Sequence, residues 1–200
     1  MLTEQLQLQS LIDYFGSQGE RFDLFYTVNK GTFVTGSIRH VAKALETIFD
    51  KNNLLHKNKV FLDAGSGDGR ICAIASLLGL QSYGIEYNQD ILKASIQNMK
   101  NLLEKEILTV DNVPKLTQGD FLETNPYQSL ALEFSKIDIF FNFVTYHESL
   151  TQKITEESPK GTIFILHSPC PVSFKPDGFK LIQEVPLTGI YQVIYIYRKL

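Results

Sequence analysis

The 200-residue sequence predicts an α/β protein with a doubly wound, mostly parallel seven-stranded sheet, helices on both faces and an antiparallel C-terminal hairpin. Three observations predict this fold. Apolar runs alternate with helical stretches from residue 60 onward, which is typical of βαβ units. The first apolar run leads through a glycine-rich loop into a helix. The last two β-rich runs follow one another without a helical pattern between them, which favours a hairpin at the sheet edge.

The elements are predicted in chain order from periodicity and turn residues. A helix with apolar residues at helical spacing covers 37–51, with Ser37 as its N-cap. Residues 1–50 are expected to form a helical lid or acceptor region and residues 51–200 the core, within one compact domain. Further helices are predicted at 70–78 and 89–106, and strands at 60–62, 81–86, 115–118, 137–141, 161–166, 179–185 and 191–197.

Composition and charge narrow the possible partners. Hydrophobic residues make up 44% of the chain, and the net charge of −3 gives no basic field that would favour nucleic acid. The two cysteines, Cys72 and Cys170, lack metal-ligand spacing, so we expect no metal site and a reducing, cytoplasmic compartment. The sequence contains no signal-peptide pattern and no apolar run long enough to span a bilayer, so we expect no membrane association.

The stretch 60–70, which reads VFLDAGSGDGR, carries most of the functional information. Its apolar start suits a strand that is buried on both faces. The three glycines that follow allow a sharp turn and a close approach of the backbone to a ligand. A strand, a glycine loop and a helix in this order predict a ligand site at the carboxyl end of a parallel sheet.

The spacing of the loop distinguishes two classes of ligand. Dinucleotide sites need the pattern G-x-G-x-x-G, but the residue that follows Gly69 here is Arg70. Asp68 would also place a negative charge where a pyrophosphate should bind. Asp63 and Asp68 instead suit a cationic ligand.

The residues D-A-G-S-G-D-G resemble the first motif of the class I S-adenosylmethionine-dependent methyltransferases, which have a Rossmann-like fold. The cofactor of that family carries a sulfonium and an ammonium group. The resemblance implies that this chain uses S-adenosyl-L-methionine. It also implies that the cofactor is held in part by Asp63, Ala64, Gly65, Ser66, Gly67 and Gly69.

Two later segments supply further candidates for the same ligand. Glu86 ends the second strand about 20 residues after the glycines, where an acid accepts hydrogen bonds from ribose hydroxyls. A solvated acid at a strand end is the alternative. Tyr87 either covers the adenosine or packs on the next helix. Asp120 and Phe121, after the third strand, resemble the adenine-binding loop of the family; the alternative is a turn acid and a core aromatic residue.

The end of the fourth strand is expected to face the methyl acceptor. Asn142 is a candidate for binding the cofactor and the acceptor, although no N/D-P-P-Y/F motif surrounds it. Aromatic residues with an asparagine after this strand resemble Dot1-type lysine methyltransferases. Residues 33–35 resemble an element of small protein-lysine methyltransferases. His147 is either a general base or an ordinary polar helix residue, and His167 could line the same pocket.

These patterns together predict methyl transfer from S-adenosyl-L-methionine to a nucleophilic acceptor, for which a protein lysine amine is one candidate. Transfer to a neutral amine needs mainly positioning and exclusion of water. A small-molecule N- or O-methyltransferase is one alternative. The other is a non-catalytic protein that retains the cofactor site.

Overall fold

A computed structural model describes residues 2–18, 26–28, 31–33, 37–52, 54, 59–187 and 191–200. The N-terminal part contains a helix, a two-stranded antiparallel hairpin and a second helix: α1 (Leu2–Ser17), β1 (Tyr26–Val28), β2 (Gly31–Phe33) and α2 (Ile38–Lys51). Val34 and Thr35, which complete the predicted 33–35 element, lie outside the described residues. No described helix combines the length and the apolar character needed to cross a membrane.

From residue 60 onward, strands and helices alternate as predicted. The strands are β3 (Val60–Ala64), β4 (Gln81–Glu86), β5 (Lys115–Gln118), β6 (Ile139–Phe143), β7 (Ile163–Ser168), β8 (Phe179–Pro186) and β9 (Val193–Lys199). The helices are α3 (Arg70–Leu77), α4 (Gln89–Glu104), α5 (Asn125–Ser129) and α6 (His147–Glu157), with a short 3-10 turn at Phe134–Lys136.

The seven strands form one sheet in the order β5-β4-β3-β6-β7-β9-β8. Neighbouring strands from β5 to β7 are parallel, whereas β9 runs antiparallel to both β7 and β8. The predicted fold class, including the antiparallel C-terminal hairpin, is confirmed. β4, the next strand along the chain, lies on one side of β3, and β6 lies on the other side. The end of β3 is therefore the switch point at which parallel α/β sheets bind ligands.

Helices cover both faces of the sheet because its strands are apolar on both sides. In β3, Phe61 faces a cluster built with residues of α1 to α4, whereas Leu62 faces a second cluster that includes residues of α5 and α6. Ser37 is the N-cap of α2 as predicted, but its hydroxyl lies 2.8 Å from His40 Nδ1 and makes no side-chain capping bond.

Three strands begin two residues later than predicted: β6 at Ile139, β7 at Ile163 and β9 at Val193. A 3-10 turn precedes Ile137, and Gly161 has a φ of +89°, so the backbone at both positions is still turning. The shift carries each strand two residues further, and Asn142 and His167 are strand residues.

Candidate functional site

The glycine loop between β3 and α3 adopts a conformation that ordinary side chains disfavour. Gly65, Gly67 and Gly69 have φ values of +88°, +54° and +84°. The backbone N–H groups of Gly65 and Ser66 both donate to the carbonyl of Ile85, at 2.9 and 3.0 Å. The loop is therefore anchored to the end of β4.

Close packing requires glycine at two positions around this loop. A Cβ at Gly69 would lie 2.4 Å from Ser95 Oγ and 2.9 Å from Met99 Cε, both on α4. A Cβ at Gly84 in β4 would lie 2.7 Å from Ser66 Cβ. Because neither position carries a side chain, α4, β4 and the loop can lie close together at one end of the sheet.

Glu86 lies directly below the loop, at the end of β4. Its Oε2 accepts a hydrogen bond of 2.9 Å from the N–H of Gly67, and its Oε1 accepts one of 2.8 Å from the N–H of Asn88. Burial raises the pKa of the Glu86 carboxyl, and these backbone N–H groups partly offset the rise. The carboxylate joins the glycine loop to the start of the next connection.

Asp63 is a buried acid on the neighbouring strand, with 2% of its surface exposed. Burial, followed by the nearby Glu86 and Asp68 carboxylates, raises its pKa well above the ordinary range. Within the described part of the chain its carboxylate receives one weak hydrogen bond, from the Cys72 thiol at 3.8 Å. The pKa of that thiol is also raised, chiefly by burial. This end of the sheet therefore concentrates negative charge.

The structure corrects the role expected of Asp68. Arg70, the residue that breaks the dinucleotide pattern, turns back and places its Nη2 2.5 Å and its Nε 2.9 Å from the Asp68 carboxylate oxygens. Both side chains are largely buried, Arg70 at 8% exposure and Asp68 at 15%. The charge of Asp68 is thus balanced within the chain by Arg70 rather than offered to a cationic ligand.

The loop after β5 meets the first two elements. The N–H of Gly119 donates to the carbonyl of Glu86 at 3.0 Å. Asp120 closes a local turn, because its Oδ1 accepts a 3.0 Å hydrogen bond from the N–H of Leu122. A Cβ at Gly119 would lie 2.2 Å from Pro126 Cγ, so α5 packs tightly behind this loop.

Phe121 brings an aromatic ring to the glycine loop. Its Cε1 lies 3.9 Å from the position that a Cβ on Gly65 would occupy, and apart from the chain neighbours of Gly65 no other described residue comes within 4 Å of that point. The backbone of Phe121 is held by Tyr127, whose hydroxyl donates to the Phe121 carbonyl at 2.5 Å. Burial raises the pKa of the Tyr127 hydroxyl, so it stays protonated as a donor. Among the described residues, the space beside Gly65 is thus open and is bounded on one side by the Phe121 ring.

The remaining residues predicted to bind the cofactor lie around the same strand ends. Tyr87 follows Glu86 and is 43% exposed. Ala64 and Ser66 are buried, and the Ser66 hydroxyl has no hydrogen-bond partner among the described residues. Asn142 has no exposed surface; its Nδ2 donates to the Ala64 carbonyl at 2.7 Å and its Oδ1 accepts from the N–H of Thr145 at 3.2 Å. Its amide joins the ends of β3 and β6.

His147 begins α6 on the acceptor side of the predicted site. Its half-buried ring packs edge-on against Phe174, with 4.6 Å between ring centroids. Burial lowers its pKa, and Glu148 partly offsets the decrease. At neutral pH the imidazole is therefore mainly neutral, which is the form that can accept a proton.

His167 differs from His147 because it is enclosed at the end of β7. Only 2% of its surface is exposed, and its Nε2 lies 2.9 Å from Gln192 Oε1. Phe143 packs edge-on against the ring at 4.8 Å. Burial lowers the pKa of His167 to about 4, so the imidazole is neutral at pH 7.

We expect His167 to make the fold sensitive to acid. Its pKa is about 4 in the folded state against 6.5 unfolded, so the unfolded chain binds more protons between these values and stability falls on acidification. The shift corresponds to a loss of about 3 kcal/mol between pH 6.5 and 4. Urea unfolding across this range should show a loss of that size in the unmodified chain relative to His167→Gln. Asp63 and Glu86 have raised pKa values and therefore stabilise the fold on acidification, but they do so in both chains, so the comparison cancels their effect. Parallel pH profiles of the two chains would contradict the prediction.

Tyr146 is a residue that the sequence did not indicate. It lies between β6 and α6 with φ +50° and ψ +28°, a left-handed conformation that is costly for a large side chain. Its ring is 48% exposed. Strained residues of this kind gather at functional sites. Tyrosine has no preference for left-handed backbone, so no local sequence signal identifies it.

Comparison with known proteins gives a family and a fold. The family model described as histone methylation protein DOT1 matches residues 29–160, about two thirds of the chain. A search of curated protein sequences finds no match.

Among solved structures, an RNA methyltransferase from Salinibacter ruber in complex with S-adenosyl-L-homocysteine is similar, with 24% identity, a TM-score of 0.55, and coverage of 80% of this chain and 90% of that chain. Magnesium protoporphyrin IX methyltransferase from Synechocystis PCC 6803, with bound SAM, has 14% identity, a TM-score of 0.63, and 97% of both chains covered. At these identities the likeness shows the fold. It confirms the predicted Rossmann-like architecture.

Proposed function

Because the chain belongs to the DOT1 family of histone methylation proteins, we propose that it is a methyltransferase that uses S-adenosyl-L-methionine as its methyl donor. The observation that carries the proposal is the meeting of three ligand elements at the end of β3. The Gly67 N–H donates to Glu86, and the Phe121 ring lies beside Gly65. Each element contributes a different chemical group, so together they suit one ligand with several parts.

The proposed assignment follows from the groups present. Each oxygen of Glu86 accepts one backbone N–H and has a further lone pair that can accept from a ribose hydroxyl. Phe121 offers a ring face to adenine, Asp120 an acceptor for its exocyclic amine, and Tyr87 a cover. Asp63 supplies negative potential for the ammonium and sulfonium groups. The open space beside Gly65 admits the ligand next to the backbone.

On the acceptor side, the chain's own residues position the acceptor and manage its proton. When bound, the cofactor supplies an electrophilic methyl group. Tyr146 and Phe143 provide aromatic walls, and neutral His147 can take a proton from the acceptor. The buried Asn142 holds the ends of β3 and β6 in register and so acts as a positioning residue.

For the acceptor, we propose a protein lysine amine. The family's description as histone methylation favours a protein side chain. Aromatic residues around the end of β6 can align the amine and exclude water, which lowers its pKa towards the nucleophilic, neutral form. Small molecules and RNA are acceptors for which the same fold is used elsewhere, and both are included in the test.

The cofactor proposal is tested by titration calorimetry of the purified chain with S-adenosylhomocysteine. Saturable binding at one site per chain is expected, and its absence would overturn the proposal. Transfer is tested with methyl-labelled S-adenosylmethionine and three acceptor pools: protein, RNA and small molecules. Label in protein that is recovered as methyl-lysine supports the lysine proposal. Label confined to another pool replaces it with that acceptor class, and binding without transfer favours a non-catalytic protein.

Replacement of Tyr146 should separate backbone strain from acceptor binding. Tyr146→Gly relieves the left-handed strain and should be more stable to unfolding than Tyr146→Ala by about 1 kcal/mol. Both variants lose the ring, so both should lower kcat/KM for the acceptor by about tenfold. Urea unfolding and steady-state kinetics measure the two effects. The affinity for S-adenosylhomocysteine should be unchanged in both variants, which is the internal control. Equal stability of the two variants would contradict the prediction that the left-handed backbone at residue 146 is strained.

A further inference from the structure

We propose that Asn98 is a positioning residue of the cofactor site, and that α1, through Asn98, is part of the support of the glycine loop. Residues 1–50 are predicted to form a helical lid or acceptor region. The described contacts of α1, which belongs to this region, reach the glycine loop through Asn98. The inference rests on the proposed function, because it explains how the loop that receives the cofactor keeps its shape.

Asn98, on α4, bridges α1 and the glycine loop. Its Nδ2 donates to the backbone carbonyl of Asp68 at 3.0 Å. Its Oδ1 accepts from the Tyr14 hydroxyl at 3.0 Å and from Gln18 Nε2 at 3.2 Å. Asn98 is buried at 7% exposure, so water competes little for these bonds. Tyr14 of α1 and Gln18, which directly follows α1, donate to the amide oxygen, and the amide nitrogen donates to the loop.

A second contact ties the same loop residue to α1. The Arg70 guanidinium binds the Asp68 carboxylate and also lies 5.4 Å from the centroid of the Phe15 ring. Phe15 is a core residue of α1, with 1% of its surface exposed. The backbone carbonyl and the side chain of Asp68 are therefore both held, and each of the two restraints reaches α1.

The loop needs external restraint because Asp68 stands between two glycines. Gly67 and Gly69 have φ values of +54° and +84°, and glycine can leave these values at little steric cost. If the loop moved, the Gly67 N–H would lose its hydrogen bond to Glu86. Cofactor binding would then have to order the loop, and this free-energy cost would reduce the affinity.

A purely structural role for α1 makes a different prediction. Leu11 and Phe15 belong to the core, so loss of α1 packing would lower the stability of the whole protein. A positioning role changes cofactor affinity in a protein that is still folded. The chain offers a matched control, because Asn101 on the same helix donates to the Tyr14 hydroxyl at 3.0 Å and, within the described part of the chain, makes no hydrogen bond to the loop.

The test compares Asn98→Asp with Asn101→Ala, which removes a donor to the Tyr14 hydroxyl and leaves that hydroxyl to donate to Asn98. Aspartate at position 98 keeps the oxygen that accepts from α1, but it replaces the donor that faces the Asp68 carbonyl with an acceptor. We expect S-adenosylhomocysteine to bind Asn98→Asp about tenfold more weakly or worse, and Asn101→Ala within about twofold of the unmodified chain. Tyr14→Phe, which frees the amide oxygen, should bind about threefold more weakly. In turnover, KM for the cofactor should rise while kcat at saturation is retained.

The outcomes are distinguishable. Equal affinities for Asn98→Asp and Asn101→Ala, with the unmodified chain binding normally, would overturn this inference and leave the proposed function intact. No binding by the unmodified chain would overturn both. If Asn98→Asp does not fold, Tyr14→Phe decides the question, since unchanged affinity in that variant would contradict the role of α1.

Discussion

Glu86→Ala should reduce the affinity for S-adenosylhomocysteine by at least about 100-fold, because the two charge-assisted hydrogen bonds that we propose between Glu86 and the ribose are removed together. The same substitution removes the acceptor for the Gly67 and Asn88 N–H groups, so the glycine loop also loses its link to β4. Titration calorimetry measures the affinity. S-adenosylhomocysteine lacks the sulfonium charge, so the loss reports on ribose and loop contacts rather than on attraction of a cation.

The matched control for Glu86→Ala is Asp90→Ala. Asp90 is an exposed acid in the first turn of α4, paired with Lys93 at 3.0 Å, and its removal makes the same change in net charge four residues away. The affinity of Asp90→Ala for S-adenosylhomocysteine should equal that of the unmodified chain. Glu86→Gln should be intermediate, since one acceptor oxygen remains while the new NH₂ group faces a backbone N–H. Near-normal binding by Glu86→Ala would remove Glu86 from the site.

The parts of the site that follow from sequence are those set by the chain's local order. Gly67 and Glu86 meet because the strand, glycine loop and helix place the next strand beside the first, with its acidic end at the loop. Asp120 follows β5, which runs parallel to β4, so it reaches the same edge of the sheet. Parallel neighbours bring their carboxyl ends together, so chain order alone predicts which residues gather there.

The parts that could not be predicted depend on contacts between distant segments. Tyr14 and Asn98 are 84 residues apart, and neither carries a local pattern that indicates the other. The pairing of Asp68 with Arg70 is local, but it depends on which way a buried guanidinium turns, and here the Phe15 ring of α1 lies beside it. The burial of His167 likewise depends on Gln192, which the C-terminal hairpin brings to β7.

The histidines show why residue type alone could not assign a role. His147 and His167 both follow apolar strands in the sequence, and both were candidates to line the acceptor pocket. His147 begins a helix and keeps part of its ring accessible, whereas His167 is enclosed by Phe143 and Gln192. The difference arises because the strands extend two residues further than their apolar runs suggest, which draws His167 into the sheet.

Asp63→Asn should have opposite effects on stability and on cofactor binding. In the absence of cofactor the buried carboxylate is costly, because burial and the neighbouring Glu86 and Asp68 carboxylates oppose its ionisation. A neutral amide of the same shape should therefore raise the free energy of unfolding at pH 7 by about 1–2 kcal/mol. It should also weaken binding of S-adenosylmethionine by about tenfold or more, because the negative potential for the cationic groups is lost. Urea unfolding and titration calorimetry measure the two effects.

The pH dependence of the stability gain identifies its cause. The pKa of Asp63 is higher in the folded than in the unfolded chain, so ionisation destabilises the native state as pH rises. The advantage of Asp63→Asn should therefore grow with pH and disappear below about pH 4, where both states of the unmodified chain are protonated. Loss of binding should be greater for S-adenosylmethionine than for S-adenosylhomocysteine, since the latter lacks the sulfonium. A variant that is less stable than the unmodified chain at every pH would contradict the prediction that the ionised Asp63 carboxylate destabilises the fold.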